Sequence, residues 1–237
     1  MAEPATAISY GAATIVNAIA TGEGAAFGVD LWTKAEVELT DNAGVIEGEI
    51  VSDPSEKTVL IEKTVKRVLA YFGLNEKVGA KVKTWSNIPI ARGLKSSSAA
   101  ANAIALATVA ALKKQLDDLT IINLGVDGAL DAKVTITGAF DDACASYFGG
   151  IVITNNIERK IIKHLAVPDD HVVLFHIPKK KAYTIQSNVA RMKAVAPLVK
   201  IAYMEALKGN FWTALTLNGL IYSSALGYNS LIAIDAL

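Results

Sequence analysis

The sequence is poor in the residues that build disulfide frameworks and metal clusters. Its 237 residues include one cysteine, Cys144, and three histidines. A single cysteine excludes an internal disulfide and suits a reducing compartment. The histidines and the cysteine show none of the ligand spacings of a zinc site. We therefore expect a cytoplasmic protein without a structural metal.

A charge excess and a long apolar run are missing as well. The 23 basic and 23 acidic residues cancel, so there is no electrostatic reason to expect nucleic acid. The uncharged run from Ser96 to Leu112 is short for a bilayer span and contains Asn102 and Thr108. The first residues, MAEPATAISYGAA, carry no basic segment, so we predict no signal peptide. Neither nucleic acid nor a membrane is an expected partner, and the oligomeric state stays open.

Alternating strand-like and helix-like segments predict that sheets and helices pack together. Period-two patterns and turn residues predict strands over 31–39, 45–51, 78–85, 151–156 and 171–178. The second of these is expected to pair with the first through the turn DNAG. Apolar residues at helical spacing predict helices over 56–72, from the serines at 96 onward, near 184–207 and over 211–226.

The segment RGLKSSSAAANA, residues 92–103, predicts a tight turn followed by a helix. Gly93 permits a turn that other residues resist, serines favour helix N-termini, and alanines are the strongest helix formers. A helix N-terminus offers free N–H groups and a partial positive charge, which suit phosphate. The segment is not a Walker A loop, because Leu94 and Ile88 stand where that loop has glycines. A serine-capped helix is also a common structural device, so the pattern alone leaves both interpretations open.

The wider segment fits the pattern P-x-x-x-G-L-x-S-S, which resembles the phosphate-binding signature of the GHMP kinases. This resemblance implies a two-lobed α+β fold, with mixed sheets packed with helices, that uses ATP and Mg²⁺. The residues implied to bind the nucleotide are Pro89, Arg92, Gly93, Leu94, Lys95, Ser96, Ser97, Ser98 and Ala99. By residue match, Ser97 is the hydroxyl that reaches the metal. Lys95 departs from the family pattern and either adds positive charge near the phosphates or is a solvated lysine.

A second segment, TGAFDDACASYFGG at 137–150, resembles the part of the family that carries its catalytic aspartate. The matching residue is Asp141, and Asp142 stands where several relatives have asparagine. Phosphoryl transfer to an alcohol benefits from a carboxylate that takes or orients the hydroxyl proton. The alternative is that both acids are turn or cap residues. The two motifs together favour the functional interpretation.

Three segments are most similar to one branch, the archaeal-type shikimate kinases. They are GAATIVNAIATGEGAAFGVDLW, GLKSSSAAANA and TGAFDDACASYFGG. The resemblance implies transfer of the ATP γ-phosphate to the 3-hydroxyl of shikimate. Weaker substrate-site candidates are Ser9, Asp30, Asp142 and Arg191, the last with the basic loop PKKK at 178–181. This loop is either a receiver of the substrate's carboxylate or a solvated turn.

Two departures from the family pattern stand out. Many members carry a lysine or arginine near position 13, where this chain has Ala12 and Ala13. The third, glycine-rich family motif is not found. We expect an N-terminal lobe over 1–155 with the phosphate loop and Asp141, and a C-terminal lobe over 156–237. Because the chain stops in the uncapped apolar stretch YNSLIAIDAL, this second lobe is expected to be incomplete.

Three alternatives remain beside a shikimate kinase. Another GHMP kinase, with a homoserine-type or mevalonate-type acceptor, would share the phosphate motifs. A non-catalytic small-molecule sensor could use the same fold. An NAD enzyme built on the glycines of 22–28 is the weakest, since G-E-G-A-A-F-G is one residue longer than the dinucleotide fingerprint.

Overall fold

One six-stranded sheet, covered by helices, organises the chain. The computed structural model describes residues 3–167, 171–177 and 184–235. The strands are β1 (Ala5–Val16), β2 (Glu23–Thr40), β3 (Ile46–Ile50), β4 (Gly79–Ser86), β5 (Ile151–Asn155) and β6 (Lys160–Leu165). The longer helices are α1 (Val59–Tyr71), α2 (Ser96–Ala111), α3 (Asp118–Asp131), α4 (Phe140–Phe148), α6 (Ala196–Lys208) and α7 (Phe211–Leu226). Two short ones, α5 (Val189–Ala194) and α8 (Leu231–Asp235), complete the set within these ranges. The predicted α+β class is confirmed.

The long strand β2 is the axis of the sheet. Strand β1 runs antiparallel along one of its edges, from Ala5 opposite Val37 to Val16 opposite Ala25. The other edge is shared, because β4 pairs with the C-terminal half of β2 and β5 pairs with its N-terminal half. The spatial order is therefore β3-β4-β2-β5-β6. This arrangement brings the ends of β1 and β5 close to the start of β2.

The sequence pattern was wrong about the partner of β3. The strand does not form a hairpin with β2 through DNAG but pairs in parallel with β4, with Ile46 opposite Ala80. The edge of β2 at this point is occupied by β4, so β3 has to bind on the outside. Parallel neighbours need a crossover, and α1 supplies it while packing Ile61, Val65 and Leu69 onto the sheet.

Most predicted helices and strands are present. Strand β2 alternates as expected, with Ala35 and Val37 buried, and α7 spans the predicted 211–226. Of the strand predicted over 171–178, the structure describes 171–177, and these residues form no strand. The helices α3 and α4 and the strand β6 were not predicted. The helical region near 184–207 is divided into α5 and α6.

The two largest apolar cores of the described residues lie against different parts of the sheet. One joins β1, β2 and β5 to α6 and α7 through Ile15, Phe27, Val199 and Tyr203, among others. The other joins β2 and β4 to α1 and α2. The sheet continues up to the predicted lobe boundary, because β5 ends there and pairs with β2. The division into two lobes stays a prediction.

None of the described helices has the length and apolar character needed to cross a bilayer.

Close packing of α1 against α3 depends on the absence of a side chain at Gly128. A Cβ at this position would lie 2.5 Å from Thr64 Oγ1 and 2.7 Å from Thr64 Cα. The second contact is with backbone, so a side-chain rotation does not relieve it.

We therefore expect Gly128→Ala to lower the free energy of unfolding by roughly 1–3 kcal/mol, measured by urea denaturation. The matched control is Gly219→Ala in α7, where a Cβ meets nothing within 4 Å. That variant should be as stable as the parent or up to about 1 kcal/mol more stable. Equal effects of the two variants would contradict the packing explanation.

Candidate active site

A cavity of about 270 Å³ lies where the N-termini of α2 and α4 converge. The start of α2 contributes Gly93, Lys95 and the three serines 96–98, and the start of α4 contributes 138–139 and the two aspartates. Neither helix has a side-chain cap. Uncapped N-termini present unpaired N–H groups and a partial positive charge. The cavity is therefore suited to a phosphorylated ligand.

Three non-glycine residues around this cavity adopt left-handed backbone conformations. They are Ala91, Lys95 and Ala139, with φ of 56°, 59° and 49°, and all three line the cavity. Such conformations cost about 1–3 kcal/mol each and persist where the surrounding fold imposes them. Lys95 and Ala139 are the residues directly before α2 and α4. Each of the two helices therefore begins at a strained residue.

The turn before α2 is held in place by a small hydrophobic cluster. Leu94 is buried with Ile88 and Ala99, and Leu31 packs against the three. The Leu94 carbonyl also accepts a hydrogen bond of 3.3 Å from the backbone N–H of Ala12. Leu94 and Ala99 therefore position the turn rather than face the cavity.

The two consecutive aspartates in the first turn of α4 are both buried. Lys95 Nζ lies 3.1 Å from Asp142 Oδ2, and both side chains are largely shielded from solvent. The second oxygen, Asp142 Oδ1, is buried without a hydrogen-bond partner among the described residues. A buried polar atom of this kind costs stability unless a ligand or ion satisfies it.

Asp141 lies beside this ion pair and also lines the cavity. Its Oδ1 accepts a hydrogen bond of 2.8 Å from Asn156 Nδ2. Burial, and next the charge of Asp142, raise the pKa of the Asp141 carboxyl well above its usual range. The hydrogen bond from Asn156 and the charge of Lys95 oppose this shift only in part. A carboxylate with a raised pKa is a stronger proton acceptor than one in water.

Seven of the predicted residues are brought together around the cavity: Gly93, Lys95, Ser96, Ser97, Ser98, Asp141 and Asp142. Seven others do not line it: Pro89, Arg92, Leu94, Ala99, Ser9, Asp30 and Arg191. The Ser9 hydroxyl donates to the Ser146 carbonyl at 2.9 Å and ties β1 to α4. Asp30 is exposed on β2, and Arg191 is exposed on α5. The basic loop 178–181 lies outside the described residues.

Sequence reasoning missed the rest of the cavity wall. The end of β1 and the following turn contribute Thr14, Asn17, Ala18 and Ile19, and the segment between β3 and α1 contributes Ser52, Glu56 and Lys57. The first four lie inside the family-like segment GAATIVNAIATGEGAAFGVDLW, but none of them was assigned to the site individually. Ser52, Glu56 and Lys57 belong to no motif, so no local signal marks them. Within the described ranges, no group of three or more His, Cys, Asp or Glu side chains is arranged to hold a metal ion.

Comparison with known proteins agrees with this geometry. Residues 59–150, which include both helix starts, match the family model described as GHMP kinases N terminal domain. The fold is similar to the mevalonate kinase of Methanococcus jannaschii, with a TM-score of 0.66 at 17% identity, covering 94% of this chain and 80% of that one. It is also similar to a homoserine kinase from Cytophaga hutchinsonii, with a TM-score of 0.63 at 17% identity, covering 95% and 72%. Fold, cavity and family model together define a GHMP-type kinase.

Relatives with higher sequence identity show which GHMP-type kinases this chain is similar to. The shikimate kinase of Methanosarcina mazei is 51% identical over 231 residues, covering 98% of this chain and 78% of the relative. The shikimate kinase of Pyrococcus abyssi is 45% identical over 219 residues, covering 92% and 79%. The chain belongs to the shikimate kinase family of the GHMP kinases, which confirms the predicted resemblance.

The raised pKa of Asp141 has a consequence for stability in the protein free of ligand and metal. A carboxyl whose pKa is raised by folding costs nothing below its unfolded pKa of about 4, and it destabilises the fold increasingly as pH rises through the folded value. We expect Asp141→Asn to raise the free energy of unfolding above neutral pH, by about 1.4 kcal/mol for every pH unit by which the folded pKa exceeds the unfolded one. The gain should vanish near pH 4.

Urea unfolding at several pH values, with a chelator present, measures this gain. Asp30→Asn is the matched control, because Asp30 lies exposed on β2, and the gain is taken as the difference in stability between the two variants. A pH-independent effect of Asp141→Asn would contradict the assignment of the cost to a buried charge.

Proposed function

We propose that the chain transfers the γ-phosphate of ATP to the 3-hydroxyl of shikimate, giving shikimate 3-phosphate and ADP. The observation that carries the proposal is the arrangement of one uncapped helix N-terminus and one buried carboxylate around a single cavity. The relatives supply the acceptor, since those of 43–51% identity are named shikimate kinases. The nucleotide class follows from membership of the GHMP kinases.

The start of α2 is the phosphate subsite of the proposal. Its backbone N–H groups and helix dipole favour negative charge, and the hydroxyls of Ser96, Ser97 and Ser98 line the same cavity. Lys95 brings a cation to this point while its backbone opens the helix. Many family members carry a lysine or arginine near position 13, where this chain has Ala12 and Ala13. Lys95 supplies positive charge in a chain that lacks this basic residue.

Asp141 is the group assigned to the acceptor. In the transfer, the 3-hydroxyl oxygen forms a bond to the γ-phosphorus while the bond from that phosphorus to the β,γ-bridging oxygen breaks, and ADP leaves with that oxygen. The hydroxyl proton passes to the Asp141 carboxylate. Its burial favours proton uptake, and it lines the same cavity as the start of α2.

The residues present also fit Mg²⁺, which prefers oxygen ligands and is held through one or two carboxylates together with substrate phosphates. Asp142 Oδ1, which has no hydrogen-bond partner in the described part of the chain, is a buried carboxylate oxygen at the cavity, and the Ser97 hydroxyl lies in the same wall. Ser97 and Asp142 would hold the ion. When bound, Mg²⁺ neutralises phosphate charge as it builds up in the transition state.

The first test is ADP release from ATP and Mg²⁺, with shikimate, homoserine and mevalonate offered separately. We expect turnover with shikimate, and a loss of at least about a hundredfold in kcat for Asp141→Asn, because the proton acceptor is removed. Asp41→Asn, an exposed acid directly after β2, is the control and should keep the parent rate.

Each of the other outcomes would refute one part of the proposal. Turnover with homoserine or mevalonate instead of shikimate would refute the acceptor but keep the chemistry. An Asp141→Asn variant with the parent rate would refute the role of the carboxylate. ATP binding without turnover for any acceptor would favour the non-catalytic sensor.

The metal assignment predicts a specific change in Ser97→Ala. We expect the Mg²⁺ concentration for half-maximal rate to rise by about tenfold or more, since a ligand oxygen is lost. Ser98→Ala, in the same helical turn, is the comparison and should raise the KM for ATP with little change in the Mg²⁺ requirement. An unchanged Mg²⁺ requirement in Ser97→Ala, measured at saturating ATP, would contradict the assignment.

A further inference from the structure

Behind Asp141, on the side away from the cavity, lies a short chain of buried hydrogen bonds. Thr154 Oγ1 donates to Asn156 Oδ1 at 2.7 Å, and Asn156 Nδ2 donates to Asp141 Oδ1 at 2.8 Å. All three residues are buried, with exposed fractions of 0%, 6% and 3%. Neither Thr154 nor Asn156 lines the cavity, so their effect on a ligand has to pass through Asp141.

The chain of donors determines which way the Asn156 amide points. An ionised carboxylate only accepts hydrogen bonds, so the NH₂ group of the amide has to face Asp141. The amide oxygen then faces Thr154, whose hydroxyl can donate to it. With the amide reversed, its oxygen would face the carboxylate and two acceptors would meet in a buried site. The Thr154 hydroxyl therefore helps to hold the amide in the orientation that Asp141 needs.

The two donor side chains, those of Thr154 and Asn156, are positioned by the sheet. Thr154 lies in β5, opposite Gly24 of β2. Asn156 follows the end of β5, and its backbone N–H donates to the Gly22 carbonyl at 2.8 Å. The position of the amide is thus set by the pairing of two strands, whereas Asp141 itself is carried by α4. The hydrogen bond therefore joins the helix to the end of the strand.

A second and independent observation comes from the opposite oxygen of Asp141. A Cβ at Gly24 would lie 2.5 Å from Asp141 Oδ2 and 2.7 Å from its Cγ. The carboxylate therefore packs directly against the backbone of β2, in space that only glycine leaves open. One oxygen is bonded to Asn156 and the other is bounded by the strand, so rotation of the carboxylate is restricted on both sides.

We propose that Asn156, oriented by the Thr154 hydroxyl, is a positioning residue that fixes the Asp141 carboxylate for phosphoryl transfer. This inference rests on the proposed function, in which Asp141 receives the acceptor proton. A charge-assisted hydrogen bond from behind holds the carboxylate in one rotamer. A carboxylate in one orientation is ready to react, whereas a freely rotating one is only sometimes in line with the acceptor hydroxyl.

The test compares kcat with KM in Asn156→Ala and in Thr154→Val. Because neither residue touches a substrate in this arrangement, we expect KM for ATP and for shikimate to stay at the parent value. We expect kcat to fall about 10–100-fold in Asn156→Ala, since misplacement of a reacting group costs rate rather than binding. The fall should be smaller in Thr154→Val, and Thr154→Ser, which keeps the hydroxyl, should restore the parent rate.

Thr108→Val is the matched control for a merely structural effect. Thr108 is also fully buried, and its hydroxyl donates to the Ile104 carbonyl at 2.7 Å inside α2. The substitution removes the same group from an equally buried site that does not touch Asp141. It should lower stability without lowering kcat. If Asn156→Ala fails to fold, Thr154→Val carries the test, because valine has nearly the shape of threonine.

Failure of the inference and failure of the proposed function give different results. An inactive parent, or an Asp141→Asn variant with the parent rate, would refute the proposed function. An active parent that depends on Asp141, together with a parent-like kcat in Asn156→Ala, would refute the inference alone. The inference also fails if Thr108→Val loses as much kcat as Thr154→Val, or if Asn156→Ala raises KM and leaves kcat unchanged.

Discussion

The balance of charge at the start of α4 is the constraint on which the site depends. Two consecutive carboxylates are buried there, where they lose hydration and repel each other. The N-terminus of their own helix, the ammonium of Lys95 and the amide of Asn156 supply the opposing charge and hydrogen bonds. Lys95 precedes α2 and Asn156 follows β5. The buried charges of the two acids are therefore stabilised only when α2, α4 and β5 have come together.

The same region concentrates features that work against stability. The cavity wall contains left-handed backbone at Lys95 and Ala139. It also contains an Asp142 oxygen that finds no hydrogen-bond partner among the residues that the structure describes. The remainder of the fold compensates with close packing. Helix α2 is buried along most of its length and rich in alanine, and Gly128 lets α1 and α3 approach each other. A well-packed scaffold can hold unfavourable groups where a ligand will later satisfy them.

Local patterns predicted the start of α2, but neither α4 nor most of the cavity wall. The turn and helix start at Gly93–Ser98 were recognisable because caps, turns and helix propensity depend on neighbours within one turn. The acids at 141–142 were recognised instead by the resemblance of their segment to the GHMP kinases. The pairing of β3 with β4 was missed, since a period-two pattern does not say which strand is adjacent. Asn156 gave no signal either, because an asparagine after a strand normally indicates a turn.

The sequence by itself therefore determined the family, the phosphate-facing helix N-terminus and the identity of the acidic pair. Only the tertiary structure decided that Lys95 reaches Asp142, that Asn156 bonds one oxygen of Asp141, and that Gly24 leaves room for the other. The physical reason is that turns and caps are decided by adjacent residues. The environment of a buried charge is instead decided by groups that lie far along the chain and meet only when the sheet is complete.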